Sequence, residues 1–431
     1  MMPTERFERQ LPELLTELAA PRTPDYLDDL LWQTANTSQR PAWSLLERWL
    51  PMLDIARQPV AAPPAPWRTI GLGFVFLALL LATLVALAVG TRPNLPAPFG
   101  PARTGLVVYA SGGDILAVDE ATGISIALVT GPETDRNPRW SLGGTHFAFE
   151  RTVEGGDNQG LVIVARADGS DLVQLTPEPL GSIKQYAFSP DGKDVLIASG
   201  PFWSPVLHIA ASDGSRIRAL DLGRPASNAA WRPPDGAEIL FMEAGDHSTG
   251  FGSLFAVDVA SGTVRTILEE DSTRHRAGPM WSPDGSQIGY VEWVSSMQLN
   301  LQVHVMAADR TGDRILPMPE DAVWQAPLSW SNDGTRLLAI RGYTGDSEGS
   351  VAVALPADGS GVGLEFDTTG AIALACCTAW EWAPDDTSIL GTPTDAAGQP
   401  LGQVLLDPVT GTSTAVPWSS SSQPSWQRLA P

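Results

Sequence analysis

Cysteine is nearly absent from this chain of 431 residues. Cys376 and Cys377 are the only two, and they are neighbours. No disulfide framework and no cysteine-based zinc site can be built from them. A bond between them would close a strained ring; the other reading is two small buried thiols. Basic residues are also scarce. Lys and Arg total 27 against 49 Asp and Glu, a net charge of −22. That charge repels nucleic acid and anionic lipid surfaces, so no nucleic-acid partner is expected. Histidine is thin. His146, His208, His247, His275 and His304 are scattered, and neither a metal site nor a cofactor is expected.

Long apolar runs are missing too, with one exception. Residues 69–90 read TIGLGFVFLALLLATLVALAVG, and positions 70–89 hold 20 residues without a charge. That length spans the ~30 Å hydrocarbon layer of a bilayer. The run begins too deep in the chain for a signal peptide, and no basic stretch opens the sequence. Trp67 and Arg68 stand where interface anchors would. Arg48, Arg57 and Arg68 precede the run while Arg92 and Arg103 follow it, which favours the N-terminus inside. Pro-rich stretches flank it, QPVAAPPAPW and RPNLPAPFGP, and act as semi-rigid spacers. The expected plan is a cytoplasmic helical segment (1–57), a linker (58–68), a transmembrane helix (69–90), a second linker (91–104) and an extracytoplasmic domain (105–428). The protein would be a single-pass protein of the cell membrane.

The inner segment carries helical spacing. Phe7, Leu11, Leu14, Leu15 and Leu18 fall on one face, interrupted at Pro12. Thr23-Pro24 is a helix start, and Leu27, Leu30 and Leu31 follow on one side. Trp43, Leu46 and Trp49 mark a third short stretch. The segment either packs on itself or on the bilayer, or docks a cytoplasmic partner. This layout resembles membrane-bound anti-sigma regulators. The His/Cys zinc cluster of many of these has no counterpart, since residues 1–68 contain no His and no Cys.

Beyond the second linker a short turn recurs. It reads WSPDG at 281–285, FSPDG at 188–192, WRPPDG at 231–236, WSNDG at 330–334, WSLGG at 140–144 and WAPDD at 382–386. Pro presets φ, Asp bonds its own backbone, and Gly accepts φ > 0. An apolar strand follows each copy, then a loop, a third strand, a second turn such as VDEATG or ARADGS, and a fourth strand. Four short strands at a period of some 43 to 52 residues make a propeller blade. Such blades must stack radially to bury both faces. The repeated aromatics Trp140, Phe188, Trp231, Trp281, Trp330 and Trp382 are then inter-blade packing.

Seven second turns accompany only six complete units. The first unit lacks its opening aromatic strand, and the piece around Trp426 is an opening strand with nothing after it. Joining the two ends predicts an all-β propeller of seven four-stranded blades, six being the alternative if one unit is degenerate. The unit with the APDD turn is the candidate for irregularity.

The W-S-P-D-G pattern with its D-x-x-G second turn and Leu-Thr ending resembles the TolB-type propeller repeat, over about 106–427. The resemblance implies the fold. It implies no particular activity, because propellers host many.

Both kinds of tight turn lie on one face of such a ring. The longer loops, 154–160, 244–252, 269–278 and 342–349, lie on the other, where binding is expected. Asp157, Asp246, His247, Tyr343, Asp346 and Glu348 are the candidate binding residues there. The acidic ones read either as solvated surface charge or as a cation site, although their spacing fits no EF-hand. Residues 345–349 match G-x-S-x-G, but a strand-like run (SVAVAL) follows where a nucleophile elbow needs a helix. No catalytic residue is assigned. The favoured function is a non-catalytic module for a protein, peptide or glycan. The alternative is a transmembrane regulator whose segment 1–57 holds a cytoplasmic factor. An envelope enzyme ranks third.

Overall fold

The computed structural model describes residues 99–153, 159–201, 204–244, 252–269, 271, 273–294, 300–343, 350–366, 380–393 and 401–430. The chain divides into two compact units, Met1–Val89 and Gly90–Pro431, and every described residue belongs to the second. The expected cytoplasmic segment, both spans of linker up to residue 98, the expected membrane helix and the two cysteines lie outside the described residues. Among the described residues no helix is long and apolar enough to cross a membrane.

Those residues form seven four-stranded antiparallel sheets. At four of the seven seams the first strands of neighbouring blades touch, and Arg139 of blade 2 meets Glu381 of blade 7 across blade 1, so the first strands line the axis and the fourth strands form the rim. Blade 1 joins the two ends of the domain. Its order is Ser425–Leu429, Arg103–Ser111, Asp114–Asp119, Ile124–Val129. Val107 opposes Trp426 and Val108 opposes Ser425. The final strand therefore supplies the missing opening strand, and the count is seven rather than six. Blade 7, the APDD unit, keeps all four strands but shortens them to Glu381–Trp382, Ile389–Gly391, Val404–Leu406 and Ser413–Ala415.

Second and third strands are covered by blades on both sides, so they read as unbroken apolar runs such as DVLIAS rather than alternating ones. The core is seven inter-blade layers. Trp140 sits in the layer between blades 1 and 2, Phe188 in the next, then Trp231, Trp281, Trp330 and Trp382, with Trp426 closing blades 7 and 1. Arg232 stacks over the Trp281 ring at 4.9 Å and Arg336 over Trp382 at 4.7 Å. Each guanidinium reaches from one blade onto the next, adding a cation–π contact to apolar burial.

The repeated turn has a structural reason at each position. Gly285 N–H donates to Ser282 O at 2.8 Å, and Ser282 Oγ donates to Asp284 Oδ1 at 2.6 Å. Gly285 has φ +69°, and a Cβ there would lie 2.0 Å from Pro233 O in the preceding blade's turn. Handedness and space both demand glycine. Two turns deviate together. Asp386 takes the glycine place in blade 7 with φ +59°, and Asn332 takes the proline place in blade 6. Because Asn332 keeps an N–H that Pro lacks, it donates to Asp386 Oδ1 at 2.7 Å. Its Nδ2 adds 2.9 Å to the same oxygen, and Asp333 N–H reaches Oδ2 at 2.8 Å. Arg428 of the closing strand donates to Asn332 Oδ1 at 2.6 Å and to Gly100 O at 2.6 Å.

Candidate functional site

Of the candidate residues on the long-loop face, Tyr343 alone is described; Asp157, Asp246, His247, Asp346 and Glu348 lie outside the described residues. Tyr343 ends the second strand of blade 6, and its hydroxyl donates to Glu365 Oε1. Burial, then that bond, raises the Tyr343 pKa. Glu365 also receives Arg341 Nη1 at 2.7 Å. Arg341 is fully buried, and its Nη2 donates to Gln325 Oε1 at 3.2 Å. Gln325 in turn donates to Leu316 O at 2.9 Å, in the neighbouring blade. A buried charge paired and hydrogen-bonded in this way holds geometry. Tyr343 is thus a fixed platform at the rim of the loops.

A second polar set lies at the axis, and the sequence reading missed it. Arg139, on the inner strand of blade 2, reaches past blade 1 to Glu381 on the inner strand of blade 7, with Nη1 to Oε2 at 3.6 Å. A contact that skips a blade is possible only near the axis. Arg139 Nη1 also donates to Pro424 O at 3.3 Å, while Glu381 Oε1 accepts Trp426 N–H at 3.2 Å and Ser425 Oγ at 3.4 Å. Burial holds the Arg139 pKa down and pushes the Glu381 pKa up, each opposed by the other's charge. Yet their side chains are 25% and 32% exposed, so solvent reaches both along the channel.

Next to them the buried Tyr186 of blade 3 donates its hydroxyl to Asn137 O, and burial raises its pKa. Asn137 adopts φ +55° at a bulge between Arg136 and Arg139. The bulge turns its N–H to Ser422 Oγ, 2.7 Å away across the seam. Arg136 pairs with Glu150 at 2.7 Å. The residue before the repeated aromatic is Ala187, Ala230, Met280, Ser329 or Ser425 in the other blades. One sector of the channel therefore holds donors and acceptors of both signs, and the rest of that ring is small or apolar. That position was a legible signal: only at 139 and 381 does it carry a charge.

Elsewhere Tyr290, His304 and Asp313 form a hydrogen-bonded trio in blade 5, with Tyr290 Oη to Asp313 Oδ1 at 3.0 Å and His304 Nδ1 to Asp313 Oδ2 at 3.2 Å. The hydroxyl and the ring belong to buried residues and only Asp313 reaches water, so the trio ties strands together. Among the described residues no three His, Cys, Asp or Glu side chains gather as a metal site would require.

No protein-family model matches the chain, and no curated protein is similar to it. Solved structures are. A prolyl endopeptidase is 12% identical with a TM-score of 0.54, the match covering 76% of this chain and 51% of that one. An oligogalacturonate lyase in complex with manganese is 14% identical with a TM-score of 0.51, covering 75% and 86%. TolB from Acinetobacter baumannii is 17% identical with a TM-score of 0.42, covering 62% of this chain and 63%, less than two thirds, of TolB. Likeness at this identity speaks to architecture alone. By its seven four-stranded sheets and its repeated turn, the chain is a seven-bladed β-propeller protein, its ring closed by the strand Ser425–Leu429.

Proposed function

We propose that this is a single-pass membrane protein whose extracytoplasmic propeller binds a protein, peptide or glycan in its central channel, without catalysis. The observation that carries the reading is the pair Arg139 and Glu381, the charged members of a ring otherwise small or apolar, with the backbone of Asn137 beside them. Donors and acceptors of both signs on a rigid scaffold suit a polar chain that needs hydrogen bonds along its length. The membrane half rests on the charge-free run at 70–89. The chain enters the ring on the tight-turn face: Ala102 N–H donates to Pro384 O at 2.7 Å, beside the Arg428 contact to Gly100.

The test uses peptide and glycan arrays probed with the full-length chain in detergent, as wild type, Arg139→Gln and Glu381→Gln. Ligands that lose about tenfold in affinity with either variant, at unchanged melting temperature, support the site. Ligands held equally by all three place the site elsewhere. The reading as a regulator keeps its basis in the striped segment 1–57, and a specific cytoplasmic protein co-purifying with residues 1–66 would favour it.

A further inference from the structure

The seven blades leave seven outer strands open at the rim; five here are two or three residues long, and that of blade 4 has five residues with an arginine among them. These six span Val173–Gln174, Ile217–Ala219, Val264–Leu268, Arg314–Ile315, Leu364–Glu365 and Ser413–Ala415. Those of blades 3 to 6 also carry a charged residue: Arg218, Arg265, Arg314 and Glu365. Brevity and charge are the usual protections of a sheet edge against pairing with another chain. Blade 1 has neither. Its outer strand, Ile124–Val129, is the longest of the seven, reads ISIALV and holds no charge.

The strand pairs on one side only, with Asp114–Asp119. Ile124 is 64% exposed and Ile126 49%, and Ser125 and Ala127 between and after them are exposed as well. The blade 2 turn covers just the far end: a Cβ on Gly169 would lie 2.2 Å from Leu128 O. Ile124 N–H is held by Thr122 Oγ1, so the open backbone lies at 125–127, with the apolar side chains of Ile124 and Ile126 on one face, the arrangement that takes up an added strand. Both ends of the edge are acidic. Asp119 precedes it in the turn, and at the other end Asp114 accepts Gly131 N–H at 3.3 Å beside the exposed Glu133.

We propose that residues 124–127 receive an extended segment of a partner protein as a fifth strand of blade 1, a segment apolar at alternate positions and basic at its ends. Charge selects that occupant. Antiparallel pairing of two copies would set the acidic start of one edge against the acidic end of the other, in a chain of net charge −22. The site is separate from the channel and does not depend on the function proposed above.

The probe is a labelled synthetic peptide of alternating Ile and Thr with two Lys at each end, titrated into the full-length chain in detergent and read by fluorescence anisotropy. A second peptide ends in Glu instead. The expected results are binding of the Lys-ended peptide, at least tenfold weaker binding of the Glu-ended one, and slowed amide exchange confined to 125–127. Ile126→Lys, at an exposed position, should weaken the Lys-ended peptide at least tenfold with the melting temperature unchanged. Ser261→Lys, a rim control in blade 4, should leave binding near wild type. Equal binding by wild type and Ile126→Lys, exchange unaltered at 125–127, or no binding at all would overturn the proposal. So would a dimer of wild type that Ile126→Lys converts to monomer, since the edge would then serve a second copy.

Discussion

Replacing Asp386 by glycine sets the repeat's own pattern against the tertiary structure. Glycine is what the other turns place at that position, and φ +59° costs an aspartate about 1 kcal/mol. By turn chemistry alone Asp386→Gly stabilises. The carboxylate, however, accepts three N–H bonds from the neighbouring blade at 2.7 to 2.9 Å. A hydrogen bond to a charged group contributes about 1.5–3 kcal/mol, and two backbone N–H groups would be stranded. Burial already pushes the Asp386 pKa up against the lowering effect of those bonds, so the low end of that range applies. Three bonds lost and one strain relieved leave a net loss of about 3–4 kcal/mol. The assay is urea unfolding of the full-length chain followed by tryptophan fluorescence, as a cycle with Asn332→Pro. Proline removes one stranded N–H, so it should cost at least about 1 kcal/mol less in the Asp386→Gly background than in wild type. An Asp386→Gly protein as stable as wild type would refute the account of how blades 6 and 7 are joined.

Three further outcomes follow from the packing. Ending the chain at residue 423 removes the inner strand of blade 1 with Trp426, and should lower the melting temperature by more than 10 °C, about the shift expected from several kcal/mol in a domain this size; calorimetry reads it. Gly391→Ala places a Cβ 1.9 Å from the Trp380 ring, whereas Gly112→Ala meets nothing within 4 Å and faces only φ +64°. The first should cost about 3 kcal/mol and the second about 1, by urea midpoints. Glu120 has a buried Oε1 without a hydrogen-bond partner, and burial raises its pKa from near 4.5 to about 7. A raised carboxylate contributes stability that is complete below about pH 4.5 and lost as pH climbs through 7. Glu120→Gln should therefore flatten stability between pH 5 and 8 and gain roughly 1–2 kcal/mol at pH 8, after allowing for its partial exposure to solvent.

The candidate site was legible only in part. Tyr343 was named from its loop, but its tie to Arg341 through Glu365 needs a strand pairing that loop composition does not encode. Arg139 and Glu381 stood in view as the charged members of one repeat position. Their meeting did not, because nothing in either blade's local sequence says which blades become neighbours but one. Asn332 and Asp386 looked like two lapses in a pattern, and together they are one contact.

The turns, the strands and a count of seven blades, with six left open, followed from the amino-acid order alone. Those rest on local physics: the φ of proline, the freedom of glycine, the spacing of apolar residues, and an unpaired strand at each end of the domain. Only the tertiary structure decided what faces the axis. Closing the ring brings Asn137 and Ser422, 285 residues apart, within 2.7 Å, and side chains whose spacing along the chain carries no signal acquire partners through the curvature of the whole.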